Sequence, residues 1–252
     1  MKTKMKVCEV HSPLCALLVD KSPNYEAVWV SSLTHAAING LPDNELVPLK
    51  ERVDFVAQIK RVTDKPIIVD IDTGESIDKL PHLIRWFEKA GAWAVIMEDK
   101  KGTKLNSLLE GKHELEDVDV FAEKIAVAQA NSGEMKVFAR LESLIAKKSK
   151  YDALLRAEAY IEAGADGIMV HSKTKVDATE VMEVGLEIAG KHSETWLIAV
   201  PTTYTLPENH PFDITIDANH LLRASLKAME KRINGEEVEL ASVQEIFNLV
   251  GN

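Results

Sequence analysis

Glu98-Asp99-Lys100 closes the apolar run Ala94-Val95-Ile96-Met97, and Lys104, Asn106 and Ser107 follow close behind. A short apolar run bounded by polar residues reads as a buried strand, so a polar loop leaves a strand end here. Upstream, Ile67-Ile68-Val69 runs directly into Asp70-Ile71-Asp72-Thr73-Gly74. Carboxylates hold hard cations, whereas ammonium, amide and hydroxyl groups hold oxyanions. Together the two strand ends suit an enzyme acting on a small phosphorylated or carboxylated acid. No Cys or His stands at zinc spacing beside Asp70, Asp72 and Glu98, so this acidic set suits Mg2+ or Mn2+. On an extended segment Asp-x-Asp places both side chains on one face, but a turn at the strand end breaks that relation. Asp72 with Thr73 could instead cap a following helix.

Further groups of the same chemistry end other apolar runs. Trp29, Ser31, Ser32 and Leu33 close one, with Asp43 beyond them in Leu41-Pro42-Asp43-Asn44-Glu45. Arg140 and Glu142 close another, His171 and Ser172 a third, and Thr202, Thr203 and Tyr204 a fourth. Arg140 can bind carboxylate or phosphate through its planar fork, or pair structurally with Glu142. His171 is an oxyanion ligand or a loop histidine, Ser31 a ligand or a helix cap, and Trp29 a site wall or ordinary core. Glu9 and His11 are wall residues without an evident role, and Asp217, Asn219 and His220 are expected to cap the last helix.

The elements that position these groups recur along the chain. Strands are expected at Val7–Val10, Ala27–Val30, Pro66–Val69, Ala94–Met97, Met135–Ala139, Gly167–Val170, Trp196–Val200 and Asp213–Ile216. Helical spacing lies between many of them: Val53, Val56, Ile59 and Val62; Leu80, Leu83, Ile84, Phe87 and Ala90; Val118, Phe121, Ile125 and Ala128; Leu154, Ala157, Tyr160 and Ile161. Ala-Gly-Ala twice precedes a strand, at Ala90-Gly91-Ala92 and Ala163-Gly164-Ala165, as a helix ending in Gly does. This alternation predicts an α/β fold, a single (β/α)8 TIM-type barrel over residues 1–252, with a doubly wound open sheet as the alternative. No G-x-G-x-x-G loop and no P-loop supports the open sheet. Residues 226–252 are expected to form a C-terminal helical extension, with apolar spacing at Val243, Ile246, Phe247 and Val250.

At 252 residues, 46% hydrophobic and 28% charged, the chain can build a substantial core. A formal net charge of -10 disfavours nucleic acid as a partner. Lys147-Lys148-Ser149-Lys150 is a basic run read as a solvated loop. Cys8 and Cys15 are the only cysteines, which predicts no disulfide framework and a reducing, cytoplasmic setting. Cys8 reads as a small core hydrophobe. Lys2, Lys4 and Lys6 begin the chain, but Pro13 to Val19 is too short to follow them as a leader core, and no apolar stretch has membrane-spanning length.

These strand ends resemble the phosphoenolpyruvate mutase branch of the isocitrate lyase superfamily. The likeness runs from about Trp29 to Ser225 and includes Trp29-Val30-Ser31-Ser32-Leu33, Asp43-Asn44-Glu45, Asp70-Ile71-Asp72-Thr73-Gly74 and Glu98-Asp99-Lys100 followed by Lys104-Leu105-Asn106-Ser107. It continues through Ala139-Arg140, Met169-Val170-His171-Ser172-Lys173, Val200-Pro201-Thr202 and Ala218-Asn219-His220. The resemblance implies Mg2+-dependent interconversion of phosphoenolpyruvate and phosphonopyruvate, the entry to carbon–phosphorus natural products. It implies that Asp70 takes the metal most directly, with Asp72 and Glu98 acting largely through water. Ser31 and neighbouring amides would bind the carboxylate, and Asn106, Ser107, Arg140 and His171 the phosphoryl group. Lys104 would help the loop exclude water, and Asp43 matches an acid of undefined role. The resemblance also implies a homodimer or homotetramer that exchanges its last helices.

Several positions depart from the pattern. Ser32 stands where Gly is common, Glu75-Ser76-Ile77 replaces a Gly-rich continuation, and Lys101-Gly102-Thr103 replaces an apolar pair with Pro. Glu9-Val10-His11-Ser12-Pro13 replaces E-A-H-N-G. The main rival activity is phosphonopyruvate hydrolysis, in which branch Thr is typical at the position of Asn106. Carbon–carbon lyases of the superfamily carry a catalytic Cys in this loop, which has none. A barrel that binds a phosphorylated acid without turnover is the remaining, non-enzymatic reading.

Overall fold

The computed structural model describes residues 2–102, 104–174 and 177–251; Thr103 of the Lys101-Gly102-Thr103 segment lies outside them. Its strands are β1 (Met5–Glu9), β2 (Ala27–Val30), β3 (Ile67–Asp70), β4 (Ala94–Glu98), β5 (Lys136–Leu141), β6 (Gly167–Val170), β7 (Trp196–Ala199) and β8 (Ile214–Asp217). All pair in parallel in chain order, and β1 pairs with both β2 and β8, which closes the barrel. The helices are α1 (Pro13–Asp20), α2 (Ser32–Ile38), α3 (Leu49–Lys60), α4 (Leu80–Ala90), α5 (Val118–Asn131), α6 (Lys150–Glu162), α7 (Thr179–Lys191), α8 (His220–Ile233) and α9 (Val243–Val250). The fold is a (β/α)8 barrel, as the alternating runs predict.

Two apolar layers explain why the strands read as continuous hydrophobic runs. Val7, Trp29, Ile68, Ile96, Phe138, Met169, Ile198 and Ile216 fill the barrel. Their alternates, among them Cys8, Val28, Val69, Val95, Val137 and Leu197, pack outward against the helices. Gly167 has no room for a side chain: a Cβ there would lie 2.7 Å from Phe138 and 2.8 Å from Trp196. The helices supply the facing stripe. Leu80, Leu83, Ile84 and Phe87 of α4 are buried, and Gly91, at φ 97°, ends that helix in the left-handed conformation before β4.

Strands β3, β4, β5 and β8 run further than their apolar residues suggest, β8 ending on Asp217. Asp70, Glu98 and Arg140 belong to their strands, paired as Asp70↔Ile96 and Glu98↔Arg140. Backbone pairing continues past the apolar stretch, so the inward alternation continues into polar residues. The basic run is also more than a loop, because Ser149 caps α6 by accepting from the Asp152 amide at 3.3 Å. Helices α8 and α9 bury none of their residues; Leu226, Met229, Ile233, Ile246 and Phe247 are all exposed.

Candidate active site

With a period of two, each strand places one residue of its carboxyl end inward above the apolar filling. Ile68 is followed by Asp70, Ile96 by Glu98, Phe138 by Arg140, and Met169 by His171. The polar residues therefore form the next layer up. A cavity of about 60 Å³ opens there, lined by Trp29, Ser31, Ser32, Leu33, Asp43, Asp70, Lys104, Asn106, Ser107, Arg140 and His171, with Leu108, Thr202 and Asn219 completing the wall. Asp72 and Glu98 do not reach this cavity. Glu98 lies fully buried beneath it, and Asp72 faces a neighbouring crevice with Glu45 and Glu75.

Asp70 is the floor of the site. Its Oδ2 accepts from Ser32 Oγ at 2.8 Å and from Arg140 Nη1 at 3.2 Å, while Oδ1 accepts from the Asp72 amide at 3.1 Å. Burial pushes this carboxyl up, but Arg140, with Lys104 and Arg52, outweighs burial and holds it below the usual range. Asp72 adopts φ 54°, so the chain turns and the two acids of Asp-x-Asp part company. Its Oδ2 accepts from Arg52 Nη1 at 2.8 Å and its Oδ1 pairs with Lys104. Against burial, Arg52 and Lys104 hold Asp72 well below the ordinary range. Neither Asp72 nor Thr73 caps a helix: α4 begins at Leu80, and the Thr73 hydroxyl donates to Glu45 at 2.9 Å.

The loop after β4 folds back over the cavity and docks on Asp43. Lys104 Nζ donates to Asp43 Oδ1 at 2.7 Å and to Ser32 Oγ at 2.6 Å; Asn106 Nδ2 donates to Asp43 Oδ2 at 2.6 Å. Asp43, without a role from its sequence alone, is the latch for both loop side chains. The loop base is tied by the Lys101 amide on Glu114 and the Glu116 amide on Asp99.

On the opposite wall Glu142 is a hub. It accepts from His171 Nδ1 at 2.5 Å and from Ser107 Oγ at 2.7 Å, and pairs with Arg140 Nε at 2.9 Å and Lys100 Nζ at 3.3 Å. A carboxylate only accepts, so Nδ1 of His171 carries the proton and Nε2 is left to face a ligand. Burial opposes ionisation of Glu142, yet His171, Arg140 and Lys100 hold it far below the ordinary range.

Four groups have sequence patterns that conceal their roles. Arg52 sits with Leu49, Val53, Val56 and Ile59 on the buried stripe of α3, where an Arg at an apolar-phase position is the available signal. Lys100 donates to Leu105 O and Ser107 Oγ, which holds the loop's near end. Asp99 lies beneath, bonded to Arg156, Tyr160 and the Glu142 amide, with burial raising its pKa to about 6. Asn219 precedes α8 but makes no side-chain cap; it lines the cavity instead, its Oδ1 buried without a hydrogen-bond partner. Asp217 likewise caps nothing and accepts from Tyr25 at 2.9 Å.

Among the described residues no three His, Cys, Asp or Glu side chains converge as a ready cation cage. The donor chemistry nevertheless fits a hard cation. Glu98 is ion-paired with Arg140, but both of its oxygens are buried without a hydrogen bond. Arg140, and Lys100 at 3.8 Å, already supply positive charge; a hard cation would add the direct coordination that these unbonded acceptors lack.

The family model for phosphoenolpyruvate phosphomutase matches residues 2–235. The chain belongs to that family. Within it, phosphonopyruvate hydrolase of Variovorax sp. (strain Pal2) is 32% identical, over 96% of this chain and 88% of that protein. Phosphoenolpyruvate phosphomutase of Tetrahymena pyriformis is 31% identical, over 97% and 86%. A crystal structure of phosphoenolpyruvate phosphomutase from Streptomyces platensis subsp. rosaceus superposes with a TM-score of 0.91 at 29% identity, covering 100% of this chain and 92% of that one. Phosphonopyruvate hydrolase complexed with oxalate and Mg++ superposes at 0.87 and 31% identity, covering 98% and 90%. As a member of this family the chain is an enzyme of the superfamily, with mutases and hydrolases at equal distance. No helix among the described residues is long and apolar enough to cross a membrane.

Proposed function

We propose that this enzyme is a phosphoenolpyruvate mutase, interconverting phosphoenolpyruvate and phosphonopyruvate. The carrying observation is Asn106, held on Asp43 beside Lys104 with the loop folded over the cavity. The hydrolase branch typically has Thr at this position. Asn keeps an amide donor for the migrating phosphoryl group where Thr offers only a hydroxyl.

Asp70 would hold Mg2+ or Mn2+, with Asp72 and Glu98 supporting it through water; the bound cation would supply positive charge to the enolate of pyruvate. Arg140 and the amide of Asn106 would donate to the phosphoryl group while its bond to C3 breaks and its bond to the enolate oxygen forms, with Ser107 and His171 lining its place. Such a loosely bonded group needs positioning and charge stabilisation, and these donors provide both. Ser31 and Ser32 would receive the carboxylate end. Asp43 and Lys104 keep the loop shut, which excludes the water that would divert the phosphoryl group to phosphate.

Exposed Leu226, Met229, Ile233, Ile246 and Phe247 support assembly of two or four copies through the terminal helices. The two cysteines, unpaired, suit a reducing cytoplasm. Incubation with phosphonopyruvate and Mg2+ tests the reading: phosphoenolpyruvate is expected as product, and pyruvate with inorganic phosphate would identify the hydrolase instead.

A further inference from the structure

A second chemical cluster lies at the end of β1, outside the residues that line the cavity. Glu9 is fully buried and its Oε1 lies 2.8 Å from His11 Nδ1; its Oε2 accepts from the Leu222 amide at 3.1 Å. Two carboxylate contacts fix Glu9, and an acceptor-only partner requires Nδ1 of His11 to donate. His11 Nε2 then lies 3.3 Å from Cys15 Sγ. The Ser12 hydroxyl donates to the same sulfur at 3.2 Å. Cys15 occupies the first turn of α1, where helix amides favour negative charge. The residue is half-buried.

We propose that Cys15 is an activated thiol, a nucleophilic site for small hydroperoxides, with His11 as its proton partner and Glu9 orienting His11. The nucleophile, the base and a third group fixing the base are the parts such a site needs. The thiol proton resides on His11 Nε2. The thiolate attacks one peroxide oxygen, the S–O bond forms as the O–O bond breaks, and the leaving hydroxide takes the proton from His11 as water. Sulfur is oxidised by two electrons to sulfenic acid and the peroxide is reduced by two.

The ionisation of both groups agrees with this arrangement. Hydrogen bonding to Cys15 and Glu9 raises His11 to about 10, and His11 with Ser12 lowers Cys15 against the effect of burial. Cys8, on the facing strand, provides an internal contrast: burial first, then Glu9, pushes it up to about 11.

Alkylation of the intact protein by iodoacetamide, read by peptide mass, tests the site. Cys15 is expected to react at pH 6.5 about tenfold or more faster than a free cysteine peptide, since an ordinary thiol is about 1% ionised there. Its rate should change little from pH 6.5 to 9, whereas His11→Gln should restore a rise centred near the ordinary thiol value, with folding checked by circular dichroism. If that variant fails to fold, the wild-type profile decides alone. One equivalent of hydrogen peroxide with dimedone should label Cys15 and spare Cys8. An ordinary pH profile at Cys15, equal labelling of both cysteines, or no dimedone adduct would overturn the assignment.

Discussion

Asp70 gathers Ser32, Arg140 and its own turn around one buried carboxylate that also lines the cavity. Asp70→Ala should lower turnover by on the order of a thousandfold, the scale seen when an aligned charge-stabilising group is lost. Steady-state kinetics at saturating Mg2+ check this, and substantial residual activity would remove Asp70 as the principal cation ligand. Glu142 makes a different prediction, because it is a hub rather than a ligand. Glu142→Gln leaves Arg140 and Lys100 short of a counter-charge in the interior and should cost about 3 kcal/mol, measured by urea unfolding. The pH dependence carries a definite sign. Glu142 is depressed far below its ordinary 4.5, so its contribution is complete above that value and is lost as pH falls further. Asp99, raised from 3.8 to about 6, acts oppositely, lowering stability as pH rises between those values. Wild-type stability should therefore fall below pH 4.5, and less steeply in Glu142→Gln.

At the scale of elements, the loop from Lys100 to Glu116 is held shut by Asp43 and at its base by Glu114 and Asp99. Asp43→Asn removes one of the two counter-charges of Lys104, leaving Asp72, and should increase limited proteolysis within this loop several-fold while leaving the barrel intact. Asn106→Thr should raise phosphate release relative to isomerisation, and an unchanged product ratio would show that Asn106 does not distinguish the two activities. The strands and most of these side chains were legible, because buried strands ending in Asp, Glu, Arg and His stand out against apolar runs. What concealed the rest is long-range geometry. Arg52 looks like one more charge on a surface helix until β3 packs beneath it and brings Asp70 and Asp72 to its guanidinium. The divergence of Asp70 and Asp72 depends on a left-handed residue that Asp-x-Asp spacing does not encode. Asn219 reads as a helix cap by position, yet its amide faces the cavity.

For the whole molecule, the barrel supplies the floor of the site and the loop after β4 covers it, while the terminal helices leave apolar surface in solvent. Ile233 is 83% exposed and Phe247 44%, on helices none of whose residues is fully buried within the chain. Sedimentation should find a dimer or tetramer, and Ile233→Asp with Phe247→Asp should shift it toward monomer; an unchanged monomer in both would contradict assembly through these helices. The central claim concerns the phosphoryl group, which must pass between carbon and oxygen of one pyruvate skeleton without meeting water. Phosphorus NMR of the protein with phosphonopyruvate and Mg2+ in 18O-labelled water tests that claim most directly. A new phosphoenolpyruvate resonance with no 18O among its three non-bridging phosphoryl oxygens is the predicted result, because only the ketone oxygen that becomes the bridge exchanges with solvent. Inorganic phosphate carrying 18O would contradict it.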